Sequence, residues 1–197
     1  MKIGVLALQG DVPEHRTAFE AVAGPGSVRL VRTRTDLESI DALALPGGES
    51  TTISHLVDEQ GLRELLRSRI EEGLPVLATC AGLIFLSRRL DVSEGGANPD
   101  PIPALDITVR RNGYGRQRES FEAPVRIDGI RGGPFPGVFL RAPRILAFGP
   151  QIEAFARQDR EVVGVRSGRI WGLAFHPELS GDGRIHRAFL AATLGRT

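Results

Sequence analysis

The sequence predicts an α/β fold, with a mostly parallel central sheet flanked by helices and a strand-rich second half. Three observations predict it. Short, nearly continuous apolar runs at residues 2–8, 42–45 and 76–79 read as strands covered on both faces. Each ends in small or turn-forming residues and leads into a segment with apolar residues at helical spacing, the rhythm of β-α units on a parallel sheet. From residue 106 onward that rhythm gives way to short strand-like segments separated by turn residues.

The first strand stops at Gln9-Gly10. A helix follows, in which Asp11 is placed to cap and Glu14 to complete a capping box, while Ala18, Phe19 and Val22 form the apolar face. Gly24-Pro25-Gly26 breaks the chain, and residues 28–31 resume as a strand. The strand at 42–45 ends in Pro46-Gly47-Gly48, after which Ser50 or Thr51 can cap a helix starting near Thr52. Leu62, Leu65, Leu66 and Ile70 line one side of the next helix. The strand at 76–79 delivers Cys80, and Leu83, Leu86 and Leu90 extend helical spacing to residue 90. Residues 91–103, rich in Gly, Pro, Asn and Asp, read as a surface loop. Strand-like segments follow at 106–110, 121–127, 138–140, 152–156, 162–165 and 170–175, and residues 185–194 close as an amphipathic helix. No repeat or linker interrupts residues 1–197, so one domain is expected.

Composition narrows the function. With 41% hydrophobic and 25% charged residues, the chain has the balance of an ordinary globule. A chain of 197 residues buries enough surface to fold without a metal or a disulfide. Its 25 basic and 24 acidic side chains nearly cancel, and the arginines are scattered, so no nucleic-acid surface is expected. No apolar stretch approaches the ~20 residues of a membrane span. Gln9 and Asp11 follow the first apolar run at once, which suits a buried strand and not a signal peptide. One cysteine, Cys80, excludes an intramolecular disulfide and fits a reducing, cytoplasmic setting.

Cys80 falls at a strand-to-helix junction among small residues, Ala78-Thr79-Cys80-Ala81-Gly82. A nucleophile elbow has this form, and the positive end of the following helix supports a thiolate. Alone, such a cysteine is equally a small buried hydrophobe. His176-Pro177-Glu178 follows the strand at 170–175. Pro177 biases His176 toward an extended conformation, in which residues two apart share a side, so Glu178 can hold one ring nitrogen while the other faces Cys80. The competing reading is a surface histidine beside a surface glutamate. No CxxC or HExxH spacing suggests zinc.

Pro46-Gly47-Gly48-Glu49-Ser50 joins a strand to a helix, and its paired glycines free backbone N–H groups to meet a developing oxyanion. A plain turn is the alternative. Residues 111–117 and 139–143 contain arginines able to clamp a carboxylate, or else are turns with solvated side chains. His15, His55 and His186 read as surface or capping residues.

Together these segments resemble the glutaminase subunits of glutamine-dependent pyridoxal 5′-phosphate synthases, a family of class I, triad-type glutamine amidotransferases. The resemblance runs through residues 4–10, 45–52, 79–83, 111–117, 120–123, 139–143 and 175–179, and so from end to end. Its most specific parts are Pro-Gly-Gly-Glu-Ser-Thr and Arg-Asn-x-Tyr-Gly-Arg-Gln. Ala78 departs from the family's usual glycine but keeps a small side chain at the elbow. The resemblance implies a flavodoxin-like fold, with Cys80 as nucleophile, His176 as base and then acid, and Glu178 as orienter. It also implies glutamine contacts at Gly48, Glu49, Ser50, Arg111, Leu140 and Arg141, and oxyanion donors at Gly48 and Ala81. Ammonia would pass to a (β/α)₈ synthase subunit docked near Gln9 and Gly10. No cofactor or metal of its own, no nucleic acid and no membrane are implied. A cysteine peptidase or DJ-1-like hydrolase would share the sheet and elbow but leave the runs at 111–117 and 139–143 unexplained, and a non-catalytic scaffold would not require all three triad residue types to be present.

Overall fold

The computed structural model describes residues 1–91, 98–114, 120–193 and 195. β1 (Ile3–Leu6) is followed by α1 (Val12–Ala23), β2 (Val28–Val31), α2 (Arg34–Glu38), β3 (Ala42–Leu45), α3 (Ser50–Glu59), α4 (Arg63–Glu71), β4 (Val76–Thr79) and α5 (Ala81–Leu86). Every residue of β1, β3 and β4 is buried, the pattern of strands covered on both faces. The second half contributes β5 (Ser87–Asp91), β6 (Leu105–Arg110), β7 (Ser120–Ile127), β8 (Phe135–Leu140), β9 (Arg144–Phe148), β10 (Glu153–Gln158), β11 (Glu161–Ser167) and β12 (Ile170–Leu173). The last helix is α6 (Arg184–Thr193).

One sheet runs β2-β1-β3-β4-β12-β11-β10-β7-β8, and β5-β6-β9 form a second. The strands from β2 to β12 are parallel. Beyond β12 the pairing turns antiparallel, which accounts for the strand-rich second half. Parallel strands end at one edge, so the chain leaves β1, β3, β4 and β12 side by side. Strand order reverses between β1 and β3, the switch point where α/β sheets open a crevice.

The core continues from the sheet into its helices. α1 packs on β1 and β2 and against α6. Phe19 of α1 and Phe189 of α6 are fully buried with ring centroids 6.4 Å apart. Burial of each such ring contributes roughly 1.5–3 kcal/mol. α5 lies against β3, β4, β12 and α3, so the Cys80 turn is backed by packed structure on several sides.

Several local expectations change. Asp11 sits at the N-cap of α1 without a side-chain cap hydrogen bond, because its carboxylate is directed at His176. Neither Ser50 nor Thr51 caps α3, which begins at Ser50 with Glu49 at the N-cap. The helix after Cys80 stops at Leu86: Ser87 turns to extended backbone (ψ 144°), and its Oγ donates to the Ile84 carbonyl at 2.7 Å. Leu90 therefore lies in β5. α2 and β9 are additions, the former opened by a capping box of Thr33 and Asp36. Residues 92–97, Gly115, Arg116, Gln117 and Leu194 lie outside the described residues. No described helix is long and apolar enough to cross a membrane.

Candidate active site

Cys80 occupies the turn between β4 and α5 with φ 46° and ψ −102°. A non-glycine residue in that region is strained, and such strain collects at functional sites. The turn is held because the Cys80 N–H donates to the Leu173 carbonyl of β12 at 2.8 Å. Of the four non-glycine residues with positive φ among those described, Cys80, Asn112 and Arg141 line a single pocket. Ala78 lies in regular β4, fully buried and paired with Leu45 and Gly172, where any side chain is sterically allowed by the backbone. The Cys80 thiol is directed at the Leu140 carbonyl, 3.7 Å away.

His176 follows β12, and its N–H donates to the Val138 carbonyl at 2.8 Å. Pro177 starts a short 3-10 turn, so Glu178 reaches the ring by turning back and not through an extended chain. Glu178 Oε1 is 2.7 Å and Asp11 Oδ2 3.2 Å from His176 Nδ1. Two carboxylates, which only accept, assign the proton to Nδ1. Nε2 is buried with no hydrogen-bond partner among the described residues. Burial opposes charge on this ring, but the facing side chains of Asp11, Cys80 and Glu178 overcome it, and its pKa is pushed up to about 12. Burial would likewise raise Glu178, yet facing His15 and His176 hold it below the ordinary carboxylate value. Asp11, Glu178 and His176 bring donor atoms within 4.8 Å of one another. The two carboxylates both face His176 Nδ1.

The pocket has a volume of about 130 Å³ and is lined by Asp11, Gly48, Glu49, Ser50, Cys80, Ile84, Arg111, Asn112, Leu140, Arg141 and His176. Larger hollows beside Met1 (about 550 Å³) and beside Ile102 (about 440 Å³) have no cysteine, serine, threonine or histidine among the described residues that line them. Glu49 and Arg111 pair across the pocket at 3.5 Å, one charge for each end of an amino acid's backbone. Ser50 Oγ is buried without a partner among the described residues. Gln9 Oε1 accepts from the Glu49 N–H at 2.8 Å. Gly10 has φ 105° and faces the Gly47 carbonyl, where a side chain would collide. Every site residue expected from the sequence thus belongs to one cluster: Glu178 stands behind His176, Ala81 follows Cys80, and Gln9 and Gly10 brace the glycine loop.

His15 and His186 correct the sequence reading: both are fully buried, and only His55 is exposed. The reason is periodicity, since His15 shares the inner face of α1 with Phe19, and His186 that of α6 with Phe189. His15 Nε2 lies 3.0 Å from Thr79 Oγ1 and 3.5 Å from Glu178 Oε1. His186 stands edge-on to Phe19, centroids 4.8 Å apart, and neither ring nitrogen has a partner among the described residues. Burial depresses it from 6.5 to about 4. Its neutral form is favoured by the fold, so that stability is full above pH 6.5 and declines as pH falls toward 4. His186→Leu is expected to flatten this acid branch by on the order of 2–3 kcal/mol. Urea midpoints at several pH values check it; parallel curves for the two proteins would remove His186 as the cause.

The sequence model of the SNO glutamine amidotransferase family matches residues 5–194. The chain is 46% identical over 192 residues to the pyridoxal 5′-phosphate synthase subunit PdxT of Mycolicibacterium vanbaalenii, covering 97% of each. It is 45% identical over 199 residues to the PdxT subunit of Thermococcus onnurineus, covering 98% of this chain and 100% of that one. A crystal structure of a glutamine amidotransferase superimposes with a TM-score of 0.90 at 41% identity, covering 99% of this chain and 100% of the other. A Thermoplasma acidophilum protein assigned as a GMP synthase subunit shares the fold, with a TM-score of 0.69 at 17% identity over 98% of this chain and 94% of that one.

Proposed function

The chain belongs to the SNO glutamine amidotransferase family, and on that premise we propose that residues 1–197 form one glutaminase domain that hydrolyses L-glutamine to glutamate and ammonia. The observation that carries this reading is the anchoring of His176 Nδ1 by Glu178 at 2.7 Å beside the strained Cys80 elbow. An elbow thiol, an oriented imidazole and a glycine loop in one pocket meet the needs of acyl transfer from an amide.

In the proposed sequence, Cys80 passes its thiol proton to His176 Nε2 and attacks the side-chain carbonyl carbon of glutamine as the thiolate, and a C–S bond forms as the carbonyl electrons move to oxygen. Backbone N–H groups of Gly48 and Ala81 meet that oxyanion. His176 Nε2 gives its proton to nitrogen, the C–N bond breaks, and ammonia leaves a glutamyl thioester. Water then transfers a proton to Nε2 and adds to the thioester carbonyl. The C–S bond breaks, glutamate departs, and Cys80 is regenerated. Glu49 suits the substrate ammonium and Arg111 its α-carboxylate, while Ser50, Leu140 and Arg141 complete the wall.

The relatives' names describe a subunit of pyridoxal 5′-phosphate synthase. We infer the same setting for this chain: a cytoplasmic complex in which a (β/α)₈ synthase subunit receives the ammonia before bulk water protonates it. Gln9 and Gly10 are assigned to the docking face. Because Gln9 also binds the Glu49 N–H, contact there would bear directly on the glycine loop. The test is glutamate release from glutamine by the chain alone and with a barrel subunit. The expected result is weak hydrolysis alone and a rise of tenfold or more with the partner. No glutamate in either condition would overturn the glutaminase reading, and equal rates would overturn control by docking.

A further inference from the structure

A triad supplies its histidine with one carboxylate, and here there are two. Glu178 Oε1 is 2.7 Å from His176 Nδ1, but the same oxygen is 3.5 Å from His15 Nε2, so it serves two imidazoles. Glu178 Oε2 has no partner among the described residues. Asp11 Oδ2 approaches the same His176 Nδ1 at 3.2 Å. The segment from Asp11 to Glu14 has the form of a capping box, yet Asp11 makes no side-chain cap hydrogen bond to α1. Its backbone N–H donates to the Gly47 carbonyl at 3.2 Å. A Cβ on Gly47 would come within 2.7 Å of Asp11 Oδ2 and would collide with the His176 ring. The glycine loop, Asp11 and the base are therefore packed as one unit.

We propose that Asp11 is a positioning residue for His176, a second carboxylate that fixes the ring's orientation and Nδ1–H tautomer while stabilising its imidazolium. This deepens the glutaminase reading, on which the role of His176 as base and acid rests. The groups facing the ring are Asp11 ahead of α1, Glu178 on its own turn and Cys80 from the elbow. His15 of α1 acts on it through Glu178, and Glu49, Arg111 and Arg141 line the same pocket. Of the carboxylates touching Nδ1, Glu178 has a fully buried side chain, whereas Asp11 is 31% exposed and lines the pocket. Hydrogen-bonding to His176 holds Asp11 below its ordinary value despite partial burial, so it is an anion when the ring is charged. When Cys80 passes its proton to His176, the imidazolium becomes the counter-ion of the thiolate formed, and stabilising one favours the other.

Asp11→Asn keeps the shape and one acceptor while removing the charge; Asp11→Ala removes both. Thiol alkylation reports on Cys80, the chain's one cysteine, and the four histidine ring signals are assigned by single His→Gln variants, which identify that of His176. In the full-length protein, the His176 titration midpoint is expected to fall by at least about one pH unit in Asp11→Asn. Alkylation of Cys80 by iodoacetamide at neutral pH is expected to slow about three- to tenfold, with a larger effect in Asp11→Ala and partial recovery in Asp11→Glu. In the assembled enzyme, kcat for glutamine should fall and the alkaline limb of its pH profile move down, with KM changed less than kcat. An unchanged His176 titration and alkylation rate in both variants, even with a lower Tm, would reduce Asp11 to a structural residue and overturn the proposal. The ring and thiol measurements need no glutamine, so a failure of glutamine hydrolysis would sink the proposed function and leave this inference to stand or fall by itself.

Discussion

Cys80→Ser is expected to lower glutamate release by at least about 10³-fold while leaving the fold in place; nucleophile knockouts in triad hydrolases cost as much as ~10⁶ in kcat. Three features set the size of the effect. Serine keeps the shape of the side chain but substitutes a neutral hydroxyl for a group readily converted to a strong nucleophile. The elbow backbone, with φ 46°, is imposed by β12 and α5 and not by sulfur, so the serine would present its oxygen at the same place. The thiol's hydrogen bond is to the Leu140 carbonyl at 3.7 Å, a weak contact whose replacement costs about 1 kcal/mol or less. The variant should therefore melt within a few degrees of the parent and form no thioester detectable by mass spectrometry on acid quench with glutamine. A serine variant within tenfold of the parent rate would take the nucleophile role away from Cys80.

The residues legible in the sequence are those whose chemistry is local. Cys80 declared itself by lying between an apolar strand and a helix, and His176 and Glu178 by being two apart after another strand. Even there the backbone route was misread: proline disfavours helical backbone before it, and His176 (φ −106°, ψ 88°) is non-helical, but proline also suits the first position of a helical turn, and Glu178 lies within that turn. The parallel block was legible because buried strands read as apolar runs, and the glycine loop because paired glycines punctuate them.

What escaped was set by contacts between residues far apart in sequence. His15 meets Thr79 and Glu178, and Asp11 meets His176, and nothing in Asp-Val-Pro-Glu-His distinguishes a carboxylate facing a distant histidine from one capping its own helix. His15 did carry a signal, its spacing of four from buried Phe19, as His186 did with Phe189 at three. Leu83, Leu86 and Leu90 keep helical spacing across a real boundary, because β5 pairs with β6 and takes Leu90 into a sheet. β9 was hidden for a different reason: Leu146 and Phe148 are exposed, so the segment lacks the alternation that marks a half-buried strand.

His176→Asn is the second large effect, and it has two separable parts. In the reaction, asparagine can occupy the Nδ1 side of the site but has no second ring nitrogen to exchange a proton with sulfur, ammonia or water. Both halves of turnover should slow, by ~10²–10⁴-fold as for lost general acid-base groups. In the fold, Glu178 has a fully buried side chain and would exchange its charged 2.7 Å partner for a neutral amide, keeping His15 at 3.5 Å. Breaking a buried pair from one side costs about 3–5 kcal/mol, with the retained His15 favouring the lower end. This cost depends on pH in a definite sense. Glu178 is held below its ordinary 4.5, so its share of stability is present above that pH and is lost as pH falls through the lowered value. His176 is raised from 6.5 to about 12, so its share is full below 6.5 and is lost as pH rises toward 12. The parent's advantage over His176→Asn should therefore peak between pH 4.5 and 6.5 and shrink on either side. Urea unfolding at about pH 3, 5.5 and 9 reads this directly. A gap that stays constant across the three would mean that His176 contributes packing alone, with no charge shared between it and the carboxylates of Glu178 and Asp11.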